Sequence, residues 1–224
     1  TCTPAYDAGR IYFCTRDGAF FCLNASDGSV VWYQKIPGIR QNGVLVTDDY
    51  VYNTHCGGTI QCRNKSDGSL VWTQGVSGIT SGNLAFCGDL LIVPGDGWKV
   101  WALDHRTGRV VWCTKLTGNF ARSSAFVICG KVYISACHGD FYGLDGQTGK
   151  IEWRFRHGVE LSFVDWAEDS GQIFVCDRSG RMYCFIAEVP GVPGNCVCDL
   201  EGYWTPAPTP TYVPQLTVTP TPTG

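Results

Sequence analysis

Short runs of alternating apolar and polar residues fill most of the chain, and glycine-rich turns separate them. The stretch RIYFCTRDGAFFCLNASDGSVVW, which begins at Arg10, is rich in β-branched and aromatic residues and has no helical periodicity. Alternation with a period of two is typical of half-buried strands. The pattern therefore predicts an all-β fold built from short antiparallel strands.

One phrase recurs along the chain at a nearly constant interval. It reads CLNASDGSVVWYQ from Cys22, CRNKSDGSLVWTQ from Cys62, ALDHRTGRVVWCT from Ala102 and GLDGQTGKIEWRF from Gly143. Its tryptophans lie 40, 40 and 41 residues apart, and one glycine keeps the same spacing. These residues are Trp32, Trp72, Trp112 and Trp153, with Gly28, Gly68, Gly108 and Gly149. An interval near 40 residues is typical of propeller blades or helical repeats, and the strand pattern favours blades.

Each repeat contains four predicted strands, and four-stranded antiparallel sheets repeated radially form a β-propeller. A fifth repeat, LSFVDWAEDSGQIFVCDRSGRMYCFIAEVPG, begins at Leu161, and its closing strand lacks the tryptophan. We therefore predict a propeller of about five blades over residues 1–202. The predicted blades are 1–38, 39–78, 79–118, 119–158 and 159–202.

The turn in the recurring phrase explains its composition. One short polar residue precedes each turn, and its side-chain oxygen can accept hydrogen bonds from N–H groups two or three residues later. The equivalent residues are Asn24, Asn64, Asp104 and Asp145. The following glycine is expected at positive φ, where a Cβ is unfavourable. The tryptophan then reaches the outermost strand, where its ring can be buried between adjacent blades. Small residues such as Ala102 and Gly143 leave room for it.

The segment GKVYISACHGDFYGLDGQTGKIEW, which begins at Gly130, resembles the repeat of pyrroloquinoline-quinone-like propellers with Trp-docking motifs. The resemblance covers residues from about 9 to 191 and is specific in four repeats. It implies four-stranded blades whose tryptophans lock neighbouring blades together. Members commonly have seven or eight blades, so a ring of five is either compact or completed by another chain.

Some relatives in this family are quinoprotein dehydrogenases, whose features the sequence lacks. Those enzymes carry two adjacent cysteines that form a disulfide on the cofactor, and an acidic residue near a bound calcium. No two cysteines are adjacent in this sequence, and the chain is less than half the usual size of those enzymes. We therefore predict a protein that is not an enzyme, with no cofactor, catalytic residue or metal site.

The histidines and aspartates support the same prediction. The histidines fall in loops or at strand ends of different blades, so we expect surface or turn residues rather than metal ligands. They are His55, His105, His138 and His157. Most of the candidate aspartates lie at predicted turns, where Asp is favoured for conformational reasons rather than for hydrolysis. They are Asp17, Asp27, Asp67, Asp165 and Asp169.

Composition and charge exclude several classes of partner. Hydrophobic residues make up 44% of the chain and charged residues 17%, as in ordinary globular proteins. The formal net charge of −3 comes from scattered residues, so neither nucleic acid nor anionic lipid is an expected partner. No apolar run approaches the roughly 18 residues that span a bilayer. The first residue is Thr rather than Met, which is expected of a processed chain.

The thirteen cysteines are many for a chain of this length. They do not form CxxC pairs with zinc spacing, and no CxxCH sequence is present. Disulfides are the favoured interpretation, and they persist mainly outside the reducing cytosol. We therefore expect a secreted or cell-surface protein. Because thirteen is odd, at least one thiol is free or paired between chains.

Two cysteine pairs suit cross-strand disulfides. Cys14 and Cys22 flank a hairpin around Gly18, and Cys176 and Cys184 repeat their spacing of eight residues. A hairpin centred on the glycine would place each pair opposite one another on one face. The alternative is that Cys22 and its equivalents are small buried thiols beneath the tryptophan.

Other cysteines lie near the ends of the predicted ring. Cys2 is near one end, and Cys196 and Cys198 are near the other. A bond between the ends would latch the propeller and lower the entropy of the unfolded chain. Cys87 and Cys129 each end an inner strand, and their partners stay open.

Asn24 and Asn64 each begin an N-x-S sequon, so glycans are a predicted modification at equivalent blade positions. The alternative is that Asn replaces the turn Asp of the other repeats.

After Tyr203 the chain becomes rich in Pro and Thr: WTPAPTPTYVPQLTVTPTPTG. Such a tail, residues 203–224, cannot build a core. The stretch YVPQLTVT alternates as a strand does, so we expect it to join an exposed blade edge or groove. The residues expected to make this contact are Tyr212, Val213, Leu216 and Val218.

Two functions fit these features. In the first, which we favour, the protein is an extracellular structural subunit whose tail docks on the propeller of the next copy, producing a filament. In the second, it is a cell-surface propeller that binds protein or carbohydrate, and the tail is a linker. Trp98 and Trp166 are candidate sugar-binding aromatics, although packing against a neighbouring blade is favoured for both.

Overall fold

The computed structural model describes residues 3–15, 17–35, 41–55, 57–77, 83–95, 98–117, 125–136, 139–156, 158–159, 161–167, 172–177 and 182–186. Every regular element in these ranges is a β-strand. The strands form five antiparallel sheets, of which four have four strands and the fifth has three. The predicted all-β fold with four-stranded blades is therefore confirmed. The tail and the end of the fifth predicted blade lie outside the described residues.

The sheets follow the chain in order, one blade after another. Blade 1 contains β1 (Ala5–Asp7), β2 (Arg10–Cys14), β3 (Ala19–Asn24) and β4 (Val30–Lys35). Blade 2 contains β5 (Gln41–Val46), β6 (Tyr50–His55), β7 (Thr59–Asn64) and β8 (Leu70–Gly75). Blade 3 contains β9 (Ala85–Cys87), β10 (Leu90–Gly95), β11 (Lys99–Asp104) and β12 (Val110–Lys115). Blade 4 contains β13 (Phe126–Ile128), β14 (Lys131–Ala136), β15 (Asp140–Asp145) and β16 (Ile151–Arg156). The fifth sheet contains β17 (Leu161–Ala167), β18 (Gln172–Asp177) and β19 (Met182–Ile186).

Each blade is a meander in which every strand after the first pairs with the strand before it. The ladder between the third and fourth strands shifts register in blades 1 to 4 at one equivalent place. That shift accommodates the turn of the recurring phrase, in which the glycine N–H bonds the carbonyl oxygen of the residue four positions earlier. The turn glycines have φ between 70° and 74°, a region that an L side chain disfavours.

The core lies between consecutive blades. Alternate residues of a strand point to opposite faces of its sheet, so each blade has a leading face toward the preceding blade and a trailing face toward the following one. In blade 3, Leu91 and Val93 of the leading face pack against Tyr52 of blade 2. Ile92 of the trailing face packs against Ile134 of blade 4. Because these side chains are completely buried, each contributes roughly 1.5–3 kcal/mol of transfer free energy.

Candidate functional site

Three of the four predicted docking tryptophans lie against the turn of the next blade. Trp32 covers Gly68 of blade 2, and a Cβ added to that glycine would lie only 2.7 Å from the indole Cε3 atom. Trp72 covers Gly108 of blade 3 in the same way, at 2.6 Å. Trp112 covers Gly149 of blade 4. Each indole therefore needs a glycine beneath it.

The same three indoles also make a hydrogen bond to the next blade. Their Nε1–H groups donate to the carbonyl oxygen of the residue three positions before the turn glycine, at 3.0 Å in every case. The acceptors belong to Lys65, His105 and Gly146. This bond satisfies the only polar atom of a largely buried ring.

The remaining predicted docking residues differ from these three pairs. Trp153 packs within blade 4 against Tyr133 and Phe141, at ring centroid distances of 5.9 and 5.3 Å. The turn of the fifth blade, on which it was expected to dock, lies outside the described residues. Gly28 has the φ of the other turn glycines, 71°, but it is exposed, and no described atom lies within 4 Å of its Cβ position.

A different residue pair fills the space beside each docked indole. Between blades 1 and 2, Lys65 forms an ion pair with Asp7. Between blades 2 and 3, the hydroxyl of Tyr52 bonds Nδ1 of His105 at 2.8 Å. Between blades 3 and 4, Cys87 lies directly against Gly146, where a Cβ would overlap its sulfur. One turn position is therefore Lys in blade 2, His in blade 3 and Gly in blade 4. In each blade the residue at this position suits the side chain that it contacts on the preceding blade.

The leading face of blade 2 contains a buried polar ladder, which we define as Asn53, His55, Gln61 and Arg63. The equivalent residues of blade 3 are apolar, and Val93 and Leu103 are among them. The Nδ2 atom of Asn53 lies 3.1 Å from Nε2 of His55. Arg63 donates from Nη2 to Oε1 of Gln61 at 3.1 Å. It also donates from Nη1 to the carbonyl oxygen of Gly68 at 2.9 Å.

Burial governs the ionisation of this ladder. Desolvation lowers the pKa of His55, and the nearby Arg63 charge lowers it further, so the imidazole is held neutral. Burial also lowers the pKa of Arg63, and no described carboxylate lies within 4 Å of that guanidinium. One further polar atom, Oδ1 of Asn53, is buried without a hydrogen bond in the described part of the chain. This interface therefore combines indole docking with polar groups that are costly to bury.

The predicted disulfides within the two hairpins are wrong. The prediction placed the glycine at the centre of each hairpin, but the centre lies one residue before it. Cys14 lies opposite Phe20 in the ladder, and Cys22 lies opposite Tyr12. The two cysteines are therefore offset by two residues instead of facing one another, and no disulfide joins them. Cys22 is instead a completely buried thiol whose pKa burial raises. The alternative prediction, a small thiol beneath the tryptophan, describes its position.

The fifth sheet repeats this offset. Cys176 lies opposite Met182, whereas Cys184 lies opposite Phe174, and Cys176 is in no disulfide. Cys129, which follows β13, is disulfide-bonded, and its partner is not among the other cysteines whose side chains are described. The proposed latch between Cys2 and Cys196 or Cys198 lies outside the described residues.

The sequon asparagines are both part of their turns. Nδ2 of Asn24 donates to Oγ of Ser29 at 2.8 Å, and Nδ2 of Asn64 donates to Oγ of Ser69 at 2.7 Å. The amide nitrogen that a glycan would modify is thus engaged by a neighbouring hydroxyl in both blades. The alternative prediction, that Asn replaces the turn Asp, describes this arrangement.

The described histidines and aspartates do not gather into a catalytic or metal site. His105 lies in a turn as expected, but His55 is completely buried and is not a surface residue. Within the described residues, no three His, Cys, Asp or Glu side chains could hold one metal ion. Asp17, Asp27 and Asp67 lie in turns, whereas Asp165 lies in β17. His138, His157 and Asp169 lie outside the described residues.

Trp98 and one interblade cleft are the remaining candidates for small ligands. The Trp98 ring is 36% exposed, and Nζ of Lys115 in the same blade lies 5.7 Å from its centroid. The Trp166 side chain is outside the described residues. A cleft of about 530 Å³ lies between the turns of blades 1 and 2. Its charged lining residues are Arg10, Asp48, Asp49 and Lys65.

The outer rim is a repeated surface that sequence reasoning missed. We define it as the first residue of the outer strand in blades 1 to 4. These residues are Val30, Leu70, Val110 and Ile151, exposed by 59%, 51%, 39% and 37%. The following residues Val71 and Val111 are exposed as well. Each outer strand pairs on one side only among the described strands, so its other edge presents backbone donors and acceptors. The repeat of VVW and LVW in the sequence was the signal for this rim.

Comparisons with known proteins identify a family and several similar structures. A family model described as "Outer membrane protein assembly factor BamB" matches residues 1–185. The crystal structure of BamB from Moraxella catarrhalis is similar, with 21% identity and a TM-score of 0.63 over 81% of this chain and 59% of that chain. Sqt1 from Saccharomyces cerevisiae is similar with 11% identity and a TM-score of 0.69, over 78% and 54% of the two chains.

A quinohemoprotein alcohol dehydrogenase, ADHIIG from Pseudomonas putida HK5, is also similar. Its identity is 13% and its TM-score 0.61, over 81% of this chain and 41% of that chain. The chain therefore spans less than two thirds of the length of each of these structures. No curated protein matches it. Within the described residues, no helix has the length and apolar character to cross a bilayer.

Proposed function

The chain belongs to the family of the outer membrane protein assembly factor BamB, and from this premise we propose that it is a non-enzymatic scaffold that binds extended peptide segments along its outer rim. One observation carries the proposal: an exposed apolar residue begins the outer strand in four successive blades. The fold is shared by an assembly factor and an alcohol dehydrogenase. The non-enzymatic part of the proposal therefore rests on the rim and on the lack of adjacent cysteines in the sequence.

The chemistry of the rim suits a peptide in extended conformation. An unpaired strand edge offers backbone hydrogen bonds, and apolar residues beside it offer pockets for alternate side chains. Soluble proteins usually protect such edges with charges. In blades 1 to 3 the charged residues of the outer strands, Lys35 and Lys115, are at the last position, far from the apolar end. In blade 4, Glu152 directly follows Ile151. The start of the outer strand in blades 1 to 3 is thus open to a partner strand.

We propose that the bound segment is the tail of a second copy of this chain. Tyr212, Val213, Leu216 and Val218 would supply the apolar side chains, in the alternating stretch YVPQLTVT. A tail on one copy and a rim on the next make a heterologous contact that does not close, which produces a filament. The disulfide at Cys129 supports placing this assembly outside the cell or at its surface.

Removal of residues 205–224 tests this proposal. Light scattering after size-exclusion chromatography, together with electron microscopy, should show oligomers or filaments for the full chain and monomers for the truncated chain. The rim variant Leu70→Lys/Val110→Lys should also be monomeric, because two lysines would be buried under the tail. Thr73→Lys is the matched control, since Thr73 is an exposed residue of β8 outside the rim.

The same experiment separates the alternative function. If truncation leaves the assembly state unchanged, self-assembly through the tail is refuted, and the tail is a linker of a binding propeller. A synthetic peptide of residues 210–220 that fails to bind the truncated chain would overturn the rim as its site.

A further inference from the structure

No described tryptophan covers the docking turn of blade 1, and we infer that this turn is the socket for the indole ring of Trp204 from the same chain. We define the socket as Gly28, the carbonyl oxygen of Ala25 and the leading face of blade 1. Gly68, Gly108 and Gly149 are buried under the tryptophan of the preceding blade, whereas Gly28 is exposed. Gly28 has the same φ as these glycines, so its turn has the shape that receives an indole, and no indole of the described residues lies on it.

The acceptor of the socket is also open. In the three filled turns, the carbonyl oxygen three residues before the glycine accepts the Nε1–H bond of the docked indole. Ala25 occupies this position in blade 1, and no donor among the described residues reaches its carbonyl oxygen. The Gly28 surface and the Ala25 carbonyl oxygen thus both lack a partner among the described residues, at the spacing that three other turns use.

The leading face of blade 1 has the composition of a covered face. Its residues Ile11, Phe13, Phe21 and Leu23 are apolar, and each is only partly buried. The equivalent residues Leu91, Val93 and Leu103 of blade 3 are completely buried. The Phe13 and Phe21 rings stack at 5.2 Å, and the 48%-exposed Tyr33 extends that stack at 4.9 Å from Phe21. Such an aromatic face on a sheet indicates a partner sheet.

The occupant must come from the other end of the chain for the ring to close. An outer strand carries the docking tryptophan in blades 1 to 4, and the described part of the fifth sheet has three strands. Trp204 is the only tryptophan after β19. It follows Ile186 by 18 residues, whereas Trp32 follows Asn24 by eight. Because 18 residues can span up to roughly 60 Å, Trp204 can reach the socket through a longer connection.

We therefore assign Trp204 to the missing docking position. Its ring lies on Gly28 and its Nε1–H donates to the carbonyl oxygen of Ala25, so that the last blade closes on the first. Under this assignment the docking tryptophan of the fifth repeat is not lost but lies further along the sequence than in the other repeats. This assignment does not depend on the proposed self-assembly, which uses residues beyond Trp204.

A matched pair of glycine variants tests the assignment in the full chain. Gly9 and Gly28 both lie in blade 1, with φ of 78° and 71°, and both have open space at their Cβ positions. Backbone strain alone would therefore make Gly9→Ala and Gly28→Ala equally destabilising. If Trp204 covers Gly28, Gly28→Ala should lower the urea midpoint at least twice as much as Gly9→Ala. This excess should disappear in a Trp204→Ala background.

Equal midpoint shifts for the two glycine variants in the presence of Trp204 would overturn the assignment. Trp204→Phe keeps a ring but removes the donor, so it provides an intermediate shift if the alanine variant fails to fold. A second copy as the source of the indole is distinguished by dilution. The excess shift at Gly28 should be independent of protein concentration, and an excess that vanishes on dilution would refute the same-chain origin.

Discussion

At the residue scale, the indole ring of tryptophan performs two tasks at each blade interface. It covers a glycine that cannot carry a Cβ, and its N–H satisfies a turn carbonyl that would otherwise be buried without a donor. Trp112 shows both contacts, with Gly149 below the ring and Gly146 as the acceptor. The residue types at these positions are therefore dictated by contact between blades and not by the turn alone.

Substitution of Trp112 should separate the two tasks. Trp112→Phe leaves the Gly146 carbonyl oxygen without its donor, and we expect the free energy of unfolding to fall by about 1–2 kcal/mol. Trp112→Ala should lower it by about 3–5 kcal/mol, because a cavity is added. Trp98→Phe is the control and should change it by less than about 0.5 kcal/mol, since Trp98 is exposed. Urea denaturation measures all three, and equal losses for the two Trp112 variants would contradict the separation.

The buried His55 should make stability depend on pH near neutrality. Its pKa in the folded protein lies below the ordinary value, so the unfolded chain takes up a proton first as the pH falls. The stabilisation is complete above the unfolded pKa of about 6.5 and is lost as the pH falls toward the folded pKa. The slope for one group cannot exceed about 1.4 kcal/mol per pH unit.

His55→Gln should therefore flatten the pH dependence of the free energy of unfolding between pH 7 and 5. The charged group that contributes to the lowered pKa of His55 is Arg63, which stays protonated in this range and cannot cause the slope. Denaturant unfolding at several pH values measures it. An unchanged slope in the variant would show that another group titrates.

At the scale of the element, the docking turn is built with two different hydrogen-bond patterns. In blade 3 the carboxylate of Asp104 accepts from the backbone N–H and the hydroxyl of Thr107, both at 2.8 Å. In blade 1 the acid moves to Asp27, which accepts from the N–H and hydroxyl of Ser29 at 2.9 and 2.7 Å. These bonds lower the pKa of both carboxylates. Each turn is thus supported by one carboxylate, which is the first residue of the turn in blade 3 and the fourth residue of the turn in blade 1.

Replacement of the blade 3 hydrogen-bond pattern by that of blade 1 should show that the residues of each pattern act together. Asp104→Asn alone removes the carboxylate from Thr107, and we expect a loss of about 1–2 kcal/mol in the free energy of unfolding. The combined variant Asp104→Asn/Thr107→Asp/Arg109→Ser recreates the blade 1 turn and should recover most of that loss. Thermal unfolding measures both, and a combined variant less stable than the single one would contradict the exchange.

At the scale of the whole molecule, the blades are not interchangeable although their sequences repeat. Each of the three interfaces with a docked indole has its own matched pair, which is an ion pair, a Tyr–His hydrogen bond or a Cys–Gly contact. The interface between blades 1 and 2 alone among these three is lined by a polar ladder. Mismatched pairs would leave a clash or an unpaired charge, so the pairs favour one order of blades.

Gly146→Ala should loosen one interface selectively. A methyl group there overlaps the sulfur of Cys87 and the backbone oxygen of Gly130, so the free energy of unfolding should fall by about 1–3 kcal/mol. Gly75→Ala is the control, because its Cβ position is open and its φ is not positive. Hydrogen exchange should increase at β13 and β14 before it increases at β6 and β7. Uniform protection across the blades would contradict an interface-specific effect.

The sequence by itself determined the repeat, the strands, the turns and the docking tryptophans, because these depend on periodic or local chemistry within about ten residues. Tertiary structure alone decided the offset between Cys14 and Cys22, since hairpin register depends on which residue occupies the centre of the turn. It also decided that Arg63 is buried and that Cys87 faces Gly146, because those contacts join blades far apart in sequence. The exposure of Gly28 was likewise decided by tertiary structure. The sequence of its turn resembles that of the other docking turns, and only the blade that packs on it determines whether an indole lies there.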